Sequence, residues 1–342
     1  MVQHIRANLW LLLFSIGLSA VVYPLLVLAF GQTFFPNKAD GSLLYDKAGN
    51  VIGSSLIAQP FSGDEYFHPR PSAVSYNAAA TAGSNWAANN YLLRDRVARM
   101  LGPIVKYNSG ENKDQLVGPD IEAWFQKDQY QGATGIVAQW ATLHSGVASN
   151  WAKSDPLYAA YVTKWQESHP QEVAEWRKAN PDNAEPKPED LAGAFFVNYS
   201  KENPTTFPVG VETKTADGKT EKIVQPAKEG TDIQSMFFDM WRQEHPTADL
   251  QKVPSDMVMA SGAGLDPDIT WKNAMYQLDR VAGKWATATK LPEAEVRKTI
   301  EGLLKAKATL PLGGLAGVHL VNVLELNLAL DDQYRARVIG DN

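Results

Sequence analysis

A glycine-rich stretch with two acidic residues, SGAGLDPD at residues 261–268, lies directly before a segment with helical apolar spacing. Backbone amides of consecutive small residues at a helix entrance can hold an anion, because unpaired N–H groups and the helix dipole both point there. A phosphate loop usually also recruits lysine or arginine, whereas Asp266 and Asp268 would repel phosphate. The stretch is therefore either a structural turn or an anion or nucleotide contact, and the residues alone leave both open.

A second candidate is the stretch YFHPRPSA, in which prolines fix the backbone around His68 and Arg70. We expect Arg70 to be a buried arginine that donates to backbone carbonyls, with a substrate clamp as the alternative. A different hypothesis makes the chain a secreted enzyme in which His68 forms an acid–base pair with Asp266 or Asp268.

Several kinds of chemistry have no residues to support them. The histidines have no spacing typical of metal ligands, and they are His4, His68, His144, His169, His245 and His319. The absence of cysteine excludes disulfides, thiolate metal sites and a cysteine nucleophile. There is no G-x-S-x-G elbow, Walker A lysine loop or DKTG-like phosphorylation motif. We therefore expect no metal site and no ATP hydrolysis by this chain on its own.

Composition places the chain among folded proteins. The 342 residues are 44% hydrophobic and 20% charged, which excludes wholesale disorder. A net charge of −6 without a basic stripe argues against a nucleic-acid partner, since such surfaces must displace counterions from phosphates.

The N-terminus predicts a transmembrane helix over residues 9–30, because no charge occurs between Arg6 and Lys38. A helix of this length reaches about 33 Å, enough for a hydrocarbon core of about 30 Å. The alternative is a secretory signal cleaved near Ala29. The positive-inside rule makes residues 1–8 a cytoplasmic tail and puts everything after Phe30 outside.

The remaining segments predict a small sheet with helices. Strands at Ser42–Asp46 and Val51–Ile57 flank the turn KAGN, and the segment up to residue 85 is an ordered loop holding buried aromatics. Thr270 is a predicted N-cap, followed by a helical stripe of apolar residues. Leucines at every second position of VNVLELNLAL predict a half-buried strand with Glu325 and Asn327 on its polar side.

Residues 101–244 differ in composition from their flanks. They are rich in tryptophan, have helical spacing in several segments, and contain a hairpin predicted around Asp217–Gly218. We expect a mainly helical insertion with its own core, which is either an extra contact surface or a decoration without a role. Its flanks LLRDRVARML and MFFDMWRQEHP look like parts of one helix opened by the insertion.

Six segments in colinear order resemble the potassium-transporting ATPase C chain, the KdpC subunit family, over residues 1–100 and 245–332. They are the span ending near YPLLV, ADGSLLYDKAGNVIGSSLIAQPF, YFHPRPSAVSYNAAATAGSN, VPSDMVMASGAGLDPDIT, YQLDRVA and VNVLELNLAL. The resemblance implies a one-span accessory subunit of a bacterial inner-membrane potassium pump. Its partners are then an ATP-hydrolysing P-type subunit and a potassium-channel-like subunit. The family is described as a catalytic chaperone that raises the pump's apparent ATP affinity.

By resemblance, a nucleotide-linked or subunit-contact site falls on the 261–267 loop and the helix after it, with ATP acting through the partner subunit. The matching positions are Ser261, Gly262, Gly264, Leu265, Asp266, Pro267, Gln277 and Arg280. The chain departs from the family pattern, which has glycine, leucine and histidine where Ala82, Trp86 and Asp268 stand here.

The predicted fold class is thus α+β: one transmembrane helix, then a small-sheet-plus-helices extracytoplasmic domain interrupted by a mainly helical insertion, with a tail at residues 333–342. The predicted function is a non-catalytic accessory subunit of a potassium uptake pump. The alternative is a membrane-anchored or secreted periplasmic binding protein or hydrolase.

Overall fold

The computed structural model describes residues 2–46, 48–182, 185–214, 219–315 and 317–340, and within them the fold is α+β, as predicted. The helices are α1 Val2–Gly17, α2 Tyr23–Phe34, α3 Pro36–Ala39, α4 Tyr91–Leu101, α5 Gly118–Phe125, α6 Ile136–Leu143, α7 Ser145–Ser154, α8 Pro156–Ser168, α9 Pro170–Ala179, α10 Pro188–Glu202, α11 Thr231–Glu244, α12 Ser255–Val258, α13 Trp271–Thr289, α14 Glu293–Lys307, α15 Val323–Leu330 and α16 Ala336–Gly340. The strands are β1 Leu43–Tyr45, β2 Val51–Ser54, β3 Gln129–Tyr130, β4 Ala133–Thr134, β5 Phe207–Lys214, β6 Thr220–Ala227, β7 Asp268–Thr270 and β8 Leu320–Asn322. They form four antiparallel pairs in sequence order.

The N-terminal helix is continuous from α1 through a π-helical turn at Leu18–Val22 into α2. Pro24 has no N–H to donate to the preceding turn, and the π-helical turn at Leu18–Val22 lies just before it, where the regular α-helical hydrogen-bond pattern is interrupted. The apolar part, Gln3–Phe34, has 32 residues with none buried, and it extends past the predicted end at residue 30. In the described part of the chain it is the one helix long and apolar enough to cross a membrane.

The chain divides into two compact units. The first comprises Met1–Ser84 and Pro254–Asn342, and the second comprises Asn85–Val253. The insertion limits of 101 and 244 taken from the sequence remain a prediction beside these structural limits.

The core of the first unit is built on α13 and α14. Leu278 and Trp285 of α13 are buried together with Ile300 of α14, which matches the predicted stripe. Thr270 caps α13 as predicted, because its Oγ1 accepts a hydrogen bond from the amide of Asn273 at 3.2 Å. The β1–β2 hairpin was also predicted, and both of its strands are shorter than expected.

The strand predicted over VNVLELNLAL is wrong. In this segment only Val321 and Asn322 belong to a strand, the end of β8, and Val323–Leu330 is the helix α15. Leucine is a strong helix former, and the Asn322 side chain accepts from the Glu325 amide as an N-cap. The buried positions follow a helical period, so Asn327, expected on the polar face, is 1% exposed.

The second unit has an aromatic core and is mainly helical, as predicted. Trp140 of α6 packs edge-on against Phe196 of α10 and Phe207 of β5, with ring centroids 5.1 and 5.2 Å apart. Strands β5 and β6 pair over eight residues. Their predicted turn at Asp217–Gly218 lies outside the described residues.

Helices α4 and α11 flank the inserted chain as two separate helices that pack antiparallel. Arg94 of α4 forms an ion pair with Asp239 of α11 at 2.6 Å, while Gly102 after α4 lies against the carbonyl of Gln234 early in α11. The two flanks therefore do not make one opened helix.

Candidate functional site

The glycine loop, residues 261–267, is a fixed turn in the first unit. Gly264 has φ +73°, and a Cβ there would lie 2.8 Å from both the Ala82 carbonyl oxygen and Val74 Cγ2. Only glycine fits this backbone and this space. Gly262, by contrast, is exposed, and a Cβ added to it would meet no atom within 4 Å.

Backbone and hydroxyl groups from the first part of the unit hold this loop. Its carbonyls accept from the Ala58 amide (Leu265 O, 3.0 Å), the Ala82 amide (Ala263 O, 3.1 Å) and the Ser72 hydroxyl (Gly264 O, 2.6 Å). The amide of Ser261 donates to the Pro71 carbonyl at 3.1 Å, and Ser261 is 2% exposed. The carbonyls of the loop are therefore used to attach it to its own chain.

Arg70 neutralises the loop's acidic group. Its Nη1 lies 2.8 Å from Asp266 Oδ2, and Asp266 Oδ1 accepts from the Asp268 amide at 3.1 Å. The expectation that Arg70 holds backbone carbonyls is wrong, because the carboxylate 196 residues away takes its hydrogen bond. The charge of Asp266 is also balanced by this contact.

Asp268 stands at the start of β7 beside this ion pair. Burial raises the pKa of Asp268 above its ordinary value, the negative charge of Asp266 raises it further, and a hydrogen bond from Asn322 opposes both. The carboxyl is thus held in a setting that favours its neutral form.

The strap, residues 64–72, crosses α13 and is bound there by Gln277. The Gln277 side chain donates from Nε2 to the His68 carbonyl at 3.0 Å and accepts on Oε1 from the His68 amide at 2.8 Å. Nε2 also donates to Asn273 Oδ1 at 2.6 Å, and Oε1 also accepts from Arg280 at 2.8 Å. Both donors and both acceptor sites of this 4% exposed amide are therefore occupied.

Arg280 is the arginine that holds carbonyls. Nη1 donates to the Asp64 carbonyl at 2.6 Å and Nη2 to the Tyr66 carbonyl at 3.0 Å. Burial lowers the pKa of Arg280, while the negative charges of Asp64 and Glu65 raise it.

The acid–base pair proposed for His68 is wrong. His68 Nε2 lies 3.0 Å from the Gly63 carbonyl oxygen, and Asp266 is paired with Arg70 instead. Burial lowers the pKa of His68, and the positive charge of Arg280 adds to this shift.

Two buried polar residues of the site had no signal in the sequence. Asn327 of α15 binds the Phe67 backbone by both amide atoms, each at 2.9 Å. Asp256 of α12, 7% exposed, accepts from the Thr270 amide at 2.8 Å and from Asn273 Nδ2 at 3.0 Å. Asn327 binds a residue 260 positions away, and Asp256 binds residues 14 and 17 positions away. Residue spacing in the sequence therefore could not have revealed either polar residue.

The structure thus brings together the loop positions, Gln277 and Arg280 around one strap, and leaves Gly262 at an exposed tip. No group of three or more histidine, cysteine or acidic side chains able to hold a metal ion occurs within the described ranges. The polar groups of the site position backbone, and among the contacts just described none pairs a nucleophile with a base.

The fold and site define a class: α+β proteins with one helix able to cross a membrane and a polar network that positions the chain's own backbone. The family model for the K+-transporting ATPase, c chain (KdpC), matches residues 5–123 and 226–332. The chain therefore belongs to the KdpC family, and the resemblance found in the sequence is confirmed.

Individual relatives agree with the family model. The chain is similar to the potassium-transporting ATPase KdpC subunit of Pseudomonas syringae pv. tomato, with 40% identity over 131 residues, covering 35% of this chain and 69% of the relative. It is 48% identical over 99 residues to that of Pseudomonas aeruginosa PAO1, covering 29% of this chain and 54% of the relative. The chain thus spans between about half and two thirds of these relatives. Residues 124–225 lie between the two matched segments, consistent with an insertion.

Proposed function

We propose that this chain is a non-catalytic accessory subunit of an ATP-driven potassium uptake pump. Its partners are an ATP-hydrolysing P-type subunit and a potassium-channel-like subunit. Family membership across both matched segments carries the proposal. In this role the chain assists assembly and raises the apparent ATP affinity of the hydrolysing subunit.

The polar network of the site supports a positioning role. Gln277 already uses every donor and acceptor within its own chain, and Arg280 holds two strap carbonyls. A nucleotide could bind either side chain only by breaking buried hydrogen bonds, each costing about 1–3 kcal/mol if left unmade. ATP therefore acts through the partner subunit, and the loop is a rigid subunit contact with Gly262 and Ala263 exposed at its tip.

The topology completes the proposal. The apolar helix anchors the chain in the bacterial inner membrane with its N-terminus in the cytoplasm, and the rest of the chain lies on the periplasmic side. The loop is then separated from cytoplasmic ATP by the membrane, which agrees with nucleotide effects arriving by coupling between subunits.

Co-purification tests the assembly role. We expect the full-length chain, co-expressed with the two pump subunits, to purify with them and to lower the ATP concentration needed for potassium-stimulated ATPase activity. Deleting residues 9–30 should abolish co-purification. A variant carrying an unrelated apolar span of equal length separates anchoring from specific helix packing at Gly17, Ser19 and Ala20. A stoichiometric complex retained by the deletion variant would refute the role of the span.

Single cysteines test the topology, because the native chain has none. In the chain expressed without its partner subunits, Ala263→Cys at the exposed loop tip should react with a membrane-impermeant maleimide in spheroplasts, whereas Ala7→Cys should react only after permeabilisation. The reverse pattern contradicts the proposed orientation. Mass spectrometry of the mature N-terminus distinguishes an anchored chain from a released binding protein or hydrolase, since a chain starting at Phe30 would be the cleaved form.

A further inference from the structure

Two arginines one turn apart on α4, Arg96 and Arg99, lack a carboxylate partner among the described residues. No ion pair there joins either of them to an acidic group, although neighbouring Arg94 is paired with Asp239 at 2.6 Å. Arg99 Nε makes only a long contact of 3.4 Å with the backbone carbonyl of Asp95. Residues three apart on a helix are neighbours, so the two guanidinium groups repel each other.

Arg96 presents one edge of its guanidinium without an acceptor. Nε and Nη2 are shielded from solvent, and neither has a hydrogen-bond partner in the described part of the chain. These two N–H groups form the parallel fork that binds carboxylate or phosphate oxygens in bidentate fashion. An unpaired charged fork of this kind is unfavourable, and an oxyanion on it would relieve the cost.

Trp86 holds the plane of this fork. The Arg96 guanidinium carbon lies 4.8 Å from the centroid of the Trp86 ring, a cation–π stack.

Arg96 and Arg99 place two positive charges close together in a partly buried setting. Burial lowers the pKa of Arg96 and of Arg99, and Arg96 adds to the shift of Arg99. The negative charge of Asp95 raises the pKa of Arg99. The Asp95 carboxylate also lies near His144, whose Nδ1 is 3.5 Å from Asp95 Oδ1. A single carboxylate would satisfy the fork of Arg96 alone, whereas a tetrahedral oxyanion has oxygens for both arginines.

We propose that Arg96 and Arg99 form a binding site for a phosphate-class oxyanion, either free inorganic phosphate or the phosphate of a lipid headgroup. The site is independent of the pump assignment. Its recognition elements are the Arg96 fork, the Trp86 plane that orients it and the second positive charge of Arg99.

Thermal unfolding of the full-length protein in mild detergent tests the proposal. Sodium phosphate is titrated against sodium chloride at equal ionic strength, which removes general screening. We expect a saturable rise in Tm of about 3–5 °C when phosphate reaches about ten times its Kd. The rise should be smaller in Arg96→Lys, which keeps the charge without the fork, and absent in Arg96→Gln.

Arg94→Gln is the matched control, because it makes the same charge change on the same helix and should keep the full phosphate response. The Tm in chloride reports whether each variant folds. Nanodiscs of phosphatidylcholine with or without phosphatidylglycerol distinguish the sources. If the headgroup is the ligand, phosphatidylglycerol raises the Tm of the wild type and not of Arg96→Gln. An equal response in Arg96→Gln, or none in the wild type in either medium, overturns the proposal.

Discussion

Gln277 and His68, 209 residues apart in the chain, are joined by a ring of two hydrogen bonds in which a side-chain amide pairs with a backbone amide. Asn327 makes the same arrangement with the adjacent Phe67. Two side-chain amides thus pair with the strap much as a neighbouring strand would, and the strap in turn supports the glycine loop through Ser72 and Pro71.

Replacing Gln277 by leucine should destabilise the first unit strongly. The substitution leaves the amide and carbonyl of His68 without partners, and each buried group left unsatisfied costs about 1–3 kcal/mol. Denaturant unfolding of the full-length protein measures the loss. Gln333→Leu, on an exposed residue of the same unit, should change stability by less than about 0.5 kcal/mol. Equal effects of the two substitutions would contradict the stabilising role of the hydrogen bonds between Gln277 and His68.

A pair of alanine substitutions tests the loop geometry. Gly264→Ala should cost at least about 1–2 kcal/mol, because alanine is strained at φ +73° and its Cβ would approach the Ala82 carbonyl to 2.8 Å. Gly262→Ala, with open space around it, should be nearly neutral. Thermal unfolding and co-purification should both separate the variants. A stable, fully assembling Gly264→Ala protein would show that the turn is not required.

Asp268→Asn should stabilise the protein at neutral pH. Because burial raises the pKa of Asp268 in the folded state, ionisation costs stability as pH rises from the ordinary carboxyl value through the raised one. The stability of the variant minus that of the wild type should be near its minimum below about pH 4 and increase with pH to a plateau.

Asp46→Asn gives the opposite trend and serves as the control for this pH dependence. Hydrogen bonds from the Asn50 side chain and backbone lower the pKa of Asp46, so its contribution is present above the ordinary value and is lost as pH falls. A pH-independent difference for Asp268→Asn would mean that this carboxyl is not perturbed.

Residues 85–253 should fold when expressed alone. All buried residues of the aromatic core cluster lie within this range, from Ala98 to Trp241. We expect a helical far-ultraviolet spectrum and one cooperative thermal transition. Residues 101–244, the limits predicted from the sequence, omit α4 and uncover the face of α11 that packs on it, so this fragment should melt at lower temperature. A non-cooperative 85–253 fragment would refute an independent unit.

Local features were predictable because they depend on neighbours in the chain. The uncharged N-terminal helix, the Thr270 cap, the β1–β2 hairpin and the apolar stripe of α13 all follow from periodicity and capping within a few residues. The family resemblance was also carried by local motifs, including the glycine loop.

Other features depended on contacts that no local pattern contains. Alternating leucines suggested a strand over residues 321–330, yet the period that packs against α14 is helical, and Asn327 turns inward to bind Phe67. Arg70 was expected to hold backbone carbonyls, yet the Asp266 carboxylate lies within its reach, and it is Arg280 that donates to the carbonyls of the strap.

The long apolar N-terminal helix, the α+β class, the family and the glycine loop could be predicted from the sequence, since hydrophobic length, turn residues and capping act over a few positions. The partners of the buried polar groups became known from the folded structure alone. Each such group must find a partner once water is removed, and the partners here lie about two hundred residues apart in the chain.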